Sequence, residues 1–253
     1  MSFSGIVKDA EGEDADHDAA PSPEPGVELR GIHALPRGKR TGICLHEIFE
    51  HLDFTSDAPI EPLVERALRK HGLHSPEREV SLARCVRQAL AHPATALASC
   101  ANTRSLRELE FHLPAKMLAP AQLTEFAGAG LMFEPRRGIL KGFMDLVFER
   151  DGRFHILDWK SNWLGADADA YTQDAMAAEM TRHRYGLQWR LYLVALHRFL
   201  RTRLRDYDPA RHLGEIYYVF LRGLDPTRPE LGIVRETPDL AELARIDSLF
   251  TTP

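Results

Sequence analysis

The fold is decided by residues 141–160, which read KGFMDLVFERDGRFHILDWK. Two apolar runs in this stretch flank the pair Asp151-Gly152, and such a pair is the strongest short signal for a β-hairpin. If these two residues form the turn, Arg150 pairs with Arg153 and all further pairs follow from that register. The stretch therefore predicts two antiparallel strands joined by a two-residue turn.

The same register places two acidic residues opposite each other. Counting back from the turn, Asp145 lies opposite Asp158, and Phe143 lies opposite Lys160 as the next pair on that face. Directly opposed side chains have Cβ atoms roughly 4.5–5.5 Å apart, and like charges at that separation are destabilising. Two carboxylates so placed need a compensating cation or a changed pKa.

The neighbours of the two carboxylates are apolar, which indicates strands buried on both faces of a sheet. Because hard carboxylate oxygens suit Mg²⁺ or Mn²⁺, we expect a divalent metal between them. Two alternatives stay open, namely solvated acids on a half-exposed sheet and a slipped register. In the predicted register the carboxylate face carries Phe143, Val147 and Ile156, and the other face carries Met144, Leu146, Phe148, Leu157 and Trp159.

The composition fits one medium-sized globular domain with a tail. The chain has 253 residues and a net charge of −5, so nucleic-acid binding would need local basic surface rather than overall charge. The sequence contains no run of about 18 apolar residues, so it predicts no membrane span. It has no apolar segment after Met1, so it predicts no secretory signal. The cysteines, Cys44, Cys85 and Cys100, lack metal-ligand spacing and are typical of reduced thiols in a cytoplasmic protein.

The remaining pattern predicts an α/β fold. Residues 1–30 are acidic and rich in Pro and Ala, which favours a disordered linker, and we place one domain over residues 31–253. Helices on either side of a central run of strands are typical of a mixed sheet flanked by helices. We expect a helix opening at Thr41-Gly42, further helices over 60–71, 76–91, 168–182, 185–204 and 241–250, and additional strands over 107–113 and 216–221.

Asp145, Asp158 and Lys160 together suit metal-assisted hydrolysis of a phosphodiester. The carboxylates would hold a metal that polarises the phosphate and lowers the pKa of a bound water. The lysine would stabilise the charge that develops on the phosphate or position the water. This pattern is common by chance, and the hairpin register is what gives it weight.

Longer runs of the sequence resemble a known family. Residues 142–145 (GFMD) and 157–165 (LDWKSNWLG) resemble the motif of PD-(D/E)XK nucleases, and in detail the C-terminal nuclease domain of the RecB family, the β subunit of exodeoxyribonuclease V. The resemblance implies a restriction-endonuclease-like mixed β-sheet flanked by helices. It extends to residues 2–6, 45–50, 170–173, 175–178, 183–185 and 218–223, and to Gln188 and Tyr192.

The resemblance implies a metal site and a catalytic lysine. His46, Asp145 and Asp158 would bind the metal, and the backbone carbonyl of Trp159 would complete the ligand set. Lys160 would be the catalytic lysine. Relatives commonly have tyrosine where this chain has Trp159, a change that should be harmless if only the carbonyl is used.

Three further side chains enter the site through the same resemblance. A glutamate is implied on the strand before the hairpin, and spacing alone does not choose between Glu108 and Glu110. Gln188 and Tyr192 are four residues apart and share a helix face. They would point at the DNA backbone or at Lys160.

The resemblance also implies cofactor, substrate and partners. Mg²⁺, with Mn²⁺ as a substitute, would support cleavage of DNA, mainly single-stranded, in double-strand-break repair and recombination. The partners would be RecC- and RecD-like subunits, a RecB-type helicase region and RecA. Some related nucleases hold a cysteine-ligated iron–sulfur cluster, but the chain has no cysteine after Cys100, so we expect no cluster.

Two interpretations compete with these expectations. A catalytically inactive module for DNA binding or subunit assembly would be expected to lack Asp145, Asp158 or Lys160, and all three are present.

Basic residues within 136–141, 182–190 and 198–205 are usually solvated, but they could line a channel for the strand backbone. Trp163, Tyr171 and Trp189 could stack on bases or pack in the core.

Overall fold

The computed structural model describes residues 29–100, 104–127, 131 and 133–250. The linker predicted over residues 1–30 falls almost entirely outside these ranges and stays a prediction. In the part that is described, no helix is long and apolar enough to cross a membrane.

Five strands form a mixed sheet whose spatial order follows the chain. The first three are antiparallel neighbours, the fourth is parallel to the third, and the fifth is antiparallel to the fourth. A parallel pair needs a long crossover, which here carries helices. The strands are β1 (Ser105–Leu118), β2 (Arg136–Arg150), β3 (Arg153–Lys160), β4 (Leu213–Phe220) and β5 (Ile233–Glu236).

Helices surround this sheet and confirm the predicted fold class, a mixed α/β arrangement. Ser75 caps the third helix, because its hydroxyl accepts a hydrogen bond from the backbone N–H of Arg78. Within the described ranges the α-helices are α1 (Lys39–His51), α2 (Glu61–Lys70), α3 (Pro76–Ala91), α4 (Pro120–Ala127), α5 (Gln173–Arg182), α6 (Tyr185–Arg203), α7 (Pro209–His212) and α8 (Leu240–Leu249).

The hairpin between β2 and β3 is confirmed. Asp151 and Gly152 have φ values of 53° and 77°, and a type I′ turn requires positive φ at both of these positions. The predicted register holds from the turn as far as the pair Leu146–Leu157. A slipped register is therefore excluded for this part of the hairpin.

The recorded ladder between β2 and β3 ends at that pair. The predicted pairs of Asp145 with Asp158 and of Phe143 with Lys160 are therefore not formed. The physical reason lies in the side chain of Asp145, which takes up a backbone donor of β3 as described below.

Apolar side chains cover both faces of the sheet. One core cluster lies against α4, α5, α6 and α8 and includes Val147, and a second lies against α1, α2 and α3 and includes Leu146. The predicted faces of the buried hairpin residues are confirmed except for Met144, which joins the cluster of Val147. The alternation of β2 is therefore broken next to Asp145.

Other differences from prediction concern short elements and element ends. The eight-residue α4 and the four-residue β5 were missed, because segments so short display little periodicity. The helix predicted over 168–182 begins as a 3₁₀ turn, Ala168–Ala170. The α-helix proper starts at Gln173, because the hydroxyl of Thr172 accepts the N–H of Ala175 as a cap.

Candidate functional site

The candidate site is built where β2 and β3 separate. The carboxylate of Asp145 accepts a hydrogen bond from the backbone N–H of Trp159 at 2.7 Å. A side chain thus satisfies a backbone donor of β3 next to the last recorded ladder pair, Leu146–Leu157. This contact fixes the first carboxylate between the two strands.

Helix α1 brings a histidine to this carboxylate. Nδ1 of His46 lies 3.5 Å from Oδ2 of Asp145. One turn further along the helix, the ring of Phe49 stacks on Trp159 with centroids 3.8 Å apart and planes at 18°. The indole of Trp159 therefore helps to hold the helix in place, a role that the sequence analysis missed because it considered only the backbone carbonyl.

Glu108 of β1 completes a group of three possible metal donors. One donor atom each from His46, Glu108 and Asp145 all lie within 4.8 Å of one another. The backbone of Glu108 has a φ of 48°, and the β1–β2 register passes over this residue. Such a conformation costs roughly 1–3 kcal/mol for a non-glycine residue and is concentrated at functional sites.

Glu110, the alternative glutamate, lies outside this group. Its carboxylate is 2.6 Å from the ammonium of Lys141 and 3.3 Å from Nε2 of His112. All three side chains are exposed. Of the two glutamates that spacing left open, the geometry therefore favours Glu108.

Asp158 and Lys160 form a buried ion pair beside the three donors. The ammonium lies 2.7 Å from Oδ2 of Asp158. The hydroxyl of Tyr192 on α6 also hydrogen-bonds to Asp158. Asp158 is thus held by two partners of its own, and it acts on His46 and Asp145 through its charge.

Lys160 is enclosed by side chains of α6 and β4. Its ammonium donates to Oε1 of Gln188 at 3.2 Å, and the same oxygen accepts the hydroxyl of Tyr218 at 2.9 Å. The ring centroid of Tyr185 is 3.7 Å from the ammonium. Neither tyrosine was predicted from the sequence as a neighbour of the lysine. Pairing β4 with β3, which sets Tyr218 beside Asp158, would have revealed one of them.

Electrostatic conflict raises the pKa of two carboxyl groups at the site. Burial raises the pKa of Asp158 to about 6, and the charge of Asp145 adds to the shift. Burial raises the pKa of Glu108 to about 7, again with a contribution from Asp145. For Asp145 burial acts in the same direction and is the largest single cause, but the charge and hydrogen bond of His46 and the charge of Lys160 together outweigh it, so the pKa is lowered.

The pKa values of His46 and Lys160 are both raised, which favours their charged forms. Burial, the largest single cause, would lower the pKa of His46, but the charge and hydrogen bond of Asp145 and the charge of Asp158 together raise it to about 9. Burial also opposes the charge of Lys160, yet Asp158 and then Tyr185 raise its pKa. Because metal ligands must give up their protons, a metal bound here would compete with the proton on His46.

A cavity of about 420 Å³ opens on the donor group. Three glutamates contribute to its wall, and one of them, Glu47, is paired with Lys70 at 2.9 Å. The lining residues are Gly42, Ile43, His46, Glu47, Glu50, His51, Lys70 and Glu108.

The donor set fits a divalent metal. Carboxylate oxygens with one imidazole nitrogen suit Mg²⁺ or Mn²⁺, and the raised pKa values show carboxylates in need of a counter-charge. A second group of possible donors, Glu65, His74 and Glu79, lies on α2, α3 and their connection. Its members are already engaged, because Glu65 pairs with Arg69 at 2.8 Å and His74 with Glu79 at 3.2 Å.

Comparison with known proteins decides the family. A family model of the PD-(D/E)XK nuclease superfamily matches residues 26–250. The chain belongs to this superfamily. The match covers the hairpin, the helix that carries His46 and both tyrosines beside Lys160, and it agrees with the fold class described above.

Several proteins that match this chain carry the name RecBCD enzyme subunit RecB. The protein of Escherichia coli K12 is 42% identical over 232 residues, which are 86% of this chain and 20% of that protein. The protein of Haemophilus influenzae is 31% identical over 229 residues, 85% of this chain and 19% of that protein. The protein of Mycobacterium tuberculosis H37Rv is 43% identical over 117 residues, 46% and 11% respectively. The chain spans about one fifth of the length of the first two.

Some side chains considered for DNA contact are placed elsewhere in this nuclease fold. Trp163, Tyr171 and Trp189 are buried, so the interpretation as base-stacking residues is wrong and core packing is correct. The ring of Trp163 is covered by the guanidinium of Arg37 at 3.3 Å. In α6, Arg190 is paired with Glu242 and Arg198 with Asp247. These ion pairs link α6 to α8, so the two arginines are already engaged and are not available for DNA phosphates.

Proposed function

We propose that this nuclease-superfamily chain is a Mg²⁺-dependent deoxyribonuclease that hydrolyses phosphodiester bonds of single-stranded DNA, from an end or internally. It acts as the nuclease module of a RecBCD-like complex in double-strand-break repair and recombination, in the cytoplasm. Its partners in that complex are RecC- and RecD-like subunits and a RecB-type helicase region, with RecA acting on the product. Residues 31–253 form the nuclease domain, and residues 1–30 are its linker.

The observation that carries this proposal is the convergence of His46, Glu108 and Asp145 within 4.8 Å beside the buried pair of Asp158 and Lys160. The five side chains come from four elements, α1, β1, β2 and β3. Asp158 is paired with Lys160, whereas Asp145 and Glu108 lie beside His46. A strained glutamate and two carboxyl groups with raised pKa values support a site that holds a cation.

Each side chain has a task that follows from its contacts. His46, Glu108, Asp145 and Asp158 hold the metal together with the carbonyl of Trp159. When bound, the metal polarises the phosphate and lowers the pKa of a water. Lys160 stays protonated, because Asp158 raises its pKa, and places a positive charge where the attacked phosphate gains negative charge.

Two α6 side chains orient the catalytic groups. Gln188 accepts a hydrogen bond from the ammonium of Lys160, which fixes the direction of the lysine. Tyr192 hydrogen-bonds to Asp158 and keeps that carboxylate in place against its repulsion from Asp145. Both act through another residue rather than on the substrate.

The choice of DNA and of partners is supported by the relatives. Proteins named RecBCD enzyme subunit RecB match 85–86% of the chain in two species. Because the superfamily match over residues 26–250 includes the metal-donor group, we extend the role in the named enzyme to this chain. An inactive module would be expected to lack Asp145, Asp158 or Lys160, and all three are present.

The test is cleavage of end-labelled single-stranded DNA by the purified chain in Mg²⁺ or in EDTA. Two variants accompany it, Asp158→Asn at the site and Glu110→Gln as a matched control on an exposed acid. We expect cutting in Mg²⁺ alone, loss of cutting in Asp158→Asn, and unchanged cutting in Glu110→Gln. Direct titration with Mg²⁺ by calorimetry runs in parallel.

The outcomes separate the two functions. Cutting by Asp158→Asn at the wild-type rate would contradict the proposed mechanism. A folded wild-type chain that binds neither Mg²⁺ nor Mn²⁺ and does not cut would favour the inactive module. A chain that binds the metal but cuts only after a helicase region and partner subunits are added would support the module in its proposed complex.

A further inference from the structure

One exposed aromatic residue lies next to the donor group and has no part in the function argued so far. Among the aromatic side chains that the structure describes, Phe143 alone is exposed, at 43%. The three aromatics first considered for base stacking are buried. The sequence pattern had placed Phe143 in a buried strand face, so its exposure is a finding of the structure.

Phe143 is fixed by its strand at a short distance from the metal donors. It precedes Asp145 by two residues in β2, and residues so spaced in a strand are about 7 Å apart. Its neighbours Leu140 and Met144 point into the core with α6, and Phe111 packs on Gly142, where an added Cβ would be 2.5 Å from the ring. The strand is thereby held, and Phe143 lies on the opposite, open side.

The surroundings of Phe143 suit one nucleotide. Its pairing partner is Glu110, and the ammonium of Lys141 lies 5.2 Å from its ring centroid. Lys141 and His112 both contact the carboxylate of Glu110, so the charges beside the ring are paired with one another. Exposed aromatic rings are the usual platforms for the bases of single strands.

We propose that Phe143 stacks on the base next to the cleaved phosphodiester and so selects strands in which that base is unpaired. This inference rests on the proposed nuclease function and specifies its substrate. In an intact duplex both faces of each base are already covered by neighbours, and exposing one costs unstacking energy.

The experiment compares Phe143→Ala, Phe143→Tyr and Ile139→Ala in the full chain. Ile139 is a matched control because it is also exposed, at 51%, and lies on the same strand four residues further from Asp145. The substrates are a labelled single strand and the same strand with one abasic site beside a defined cleavage position. Cutting in Mg²⁺ gives KM and kcat, and binding in Ca²⁺ by fluorescence anisotropy gives affinity without depending on cleavage.

We expect Phe143→Ala to raise KM for the intact strand about tenfold, with kcat little changed. Phe143→Tyr and Ile139→Ala should behave as wild type. The abasic site should weaken wild-type binding by a similar factor and leave binding by Phe143→Ala unchanged, because the variant has no ring to lose its partner.

Equal sensitivity of wild type and Phe143→Ala to the abasic site would overturn the proposal. So would a wild-type KM in Phe143→Ala. Failure of the nuclease function is recognised separately, since it would appear as absent cutting by the wild type or as persistent cutting by Asp158→Asn. The anisotropy measurement still decides the stacking in that case.

Discussion

At the scale of single residues, Glu108 is where this site departs most from ordinary β structure. Its φ of 48° interrupts β1 at the position that would pair with Asp145. A residue held in that conformation persists only when its surroundings demand it. The strain is understandable if the carboxylate is needed beside His46 and Asp145 for a metal.

Replacing this glutamate should weaken metal binding selectively. We expect Glu108→Gln to lower Mn²⁺ affinity at least tenfold and to slow cleavage, because one anionic ligand is lost. Glu110→Gln, two residues along the same strand, should leave both within twofold. Calorimetric titration with Mn²⁺ measures the first effect and strand cleavage the second. Equal losses in the two variants would contradict the choice of Glu108.

A second prediction concerns the ring beside Lys160, the proposed catalytic lysine. The face of Tyr185 is 3.7 Å from the ammonium of Lys160, and a desolvated contact of this kind contributes about 2 kcal/mol. Tyr185→Leu should therefore lower kcat about 30-fold with little change in KM, because the lysine loses its position. Tyr185→Phe keeps the ring and should retain kcat within about threefold. A Phe variant as slow as the Leu variant would show that the hydroxyl, not the ring, matters.

At the scale of elements, the site depends on how α1 is packed against β3. The stacked pair Phe49–Trp159 lies one helical turn from His46. The buried guanidinium of Arg222 also links the segment before α1 to the end of β3, because it donates hydrogen bonds to the backbone carbonyls of Pro36 and Ser161. The histidine is therefore positioned by contacts that are remote in sequence.

Removing the stacked ring should loosen both the fold and the metal site. Phe49→Ala should lower the free energy of unfolding by about 3–5 kcal/mol, as other large cavities do, and should reduce Mn²⁺ affinity. Ile43→Ala, an exposed position on the same helix, should change stability by less than about 0.5 kcal/mol. Urea unfolding followed by circular dichroism measures the stabilities. Unchanged metal affinity in a folded Phe49→Ala protein would contradict the positioning role.

Elements set by local chemistry could be predicted, and those set by distant contacts could not. The hairpin followed from Asp151-Gly152 and from alternating apolar residues, both of which act within a few positions. The break at Met144 and the strained Glu108 could not be predicted, because both depend on packing between strands. His46 entered through family resemblance, since periodicity alone does not separate a ligand from an ordinary helix histidine.

At the scale of the whole molecule, stability should depend on pH through a buried histidine far from the site. His155 of β3 accepts the backbone N–H of Glu215 through Nδ1. Burial, together with the charge of Arg150, lowers the pKa of His155 to about 4. A group whose pKa is depressed on folding stabilises the protein fully above its unfolded value, near 6.5, and loses that contribution as pH falls toward the folded value.

Acidification should therefore destabilise the wild type more than a variant without this imidazole. Between pH 7.5 and pH 5 the loss attributable to His155 should be about 2 kcal/mol of unfolding free energy. His155→Gln, which keeps a hydrogen-bond acceptor, should show a flatter pH dependence, whereas His112→Gln on the surface should follow the wild type. Urea midpoints across this pH range provide the measurement. Parallel pH profiles for His155→Gln and wild type would show that the histidine is not the cause.

The most direct measurement is the position of bound Mn²⁺, found by anomalous diffraction from crystals of the chain grown with the metal. We predict a peak bonded to the side chains of His46, Glu108, Asp145 and Asp158 and to the carbonyl of Trp159, and its loss in Glu108→Gln crystals. The group formed by Glu65, His74 and Glu79 provides an internal comparison in the same crystals. A peak at that second group with none between β2 and β3, in protein that cleaves DNA, would contradict the proposed metal centre.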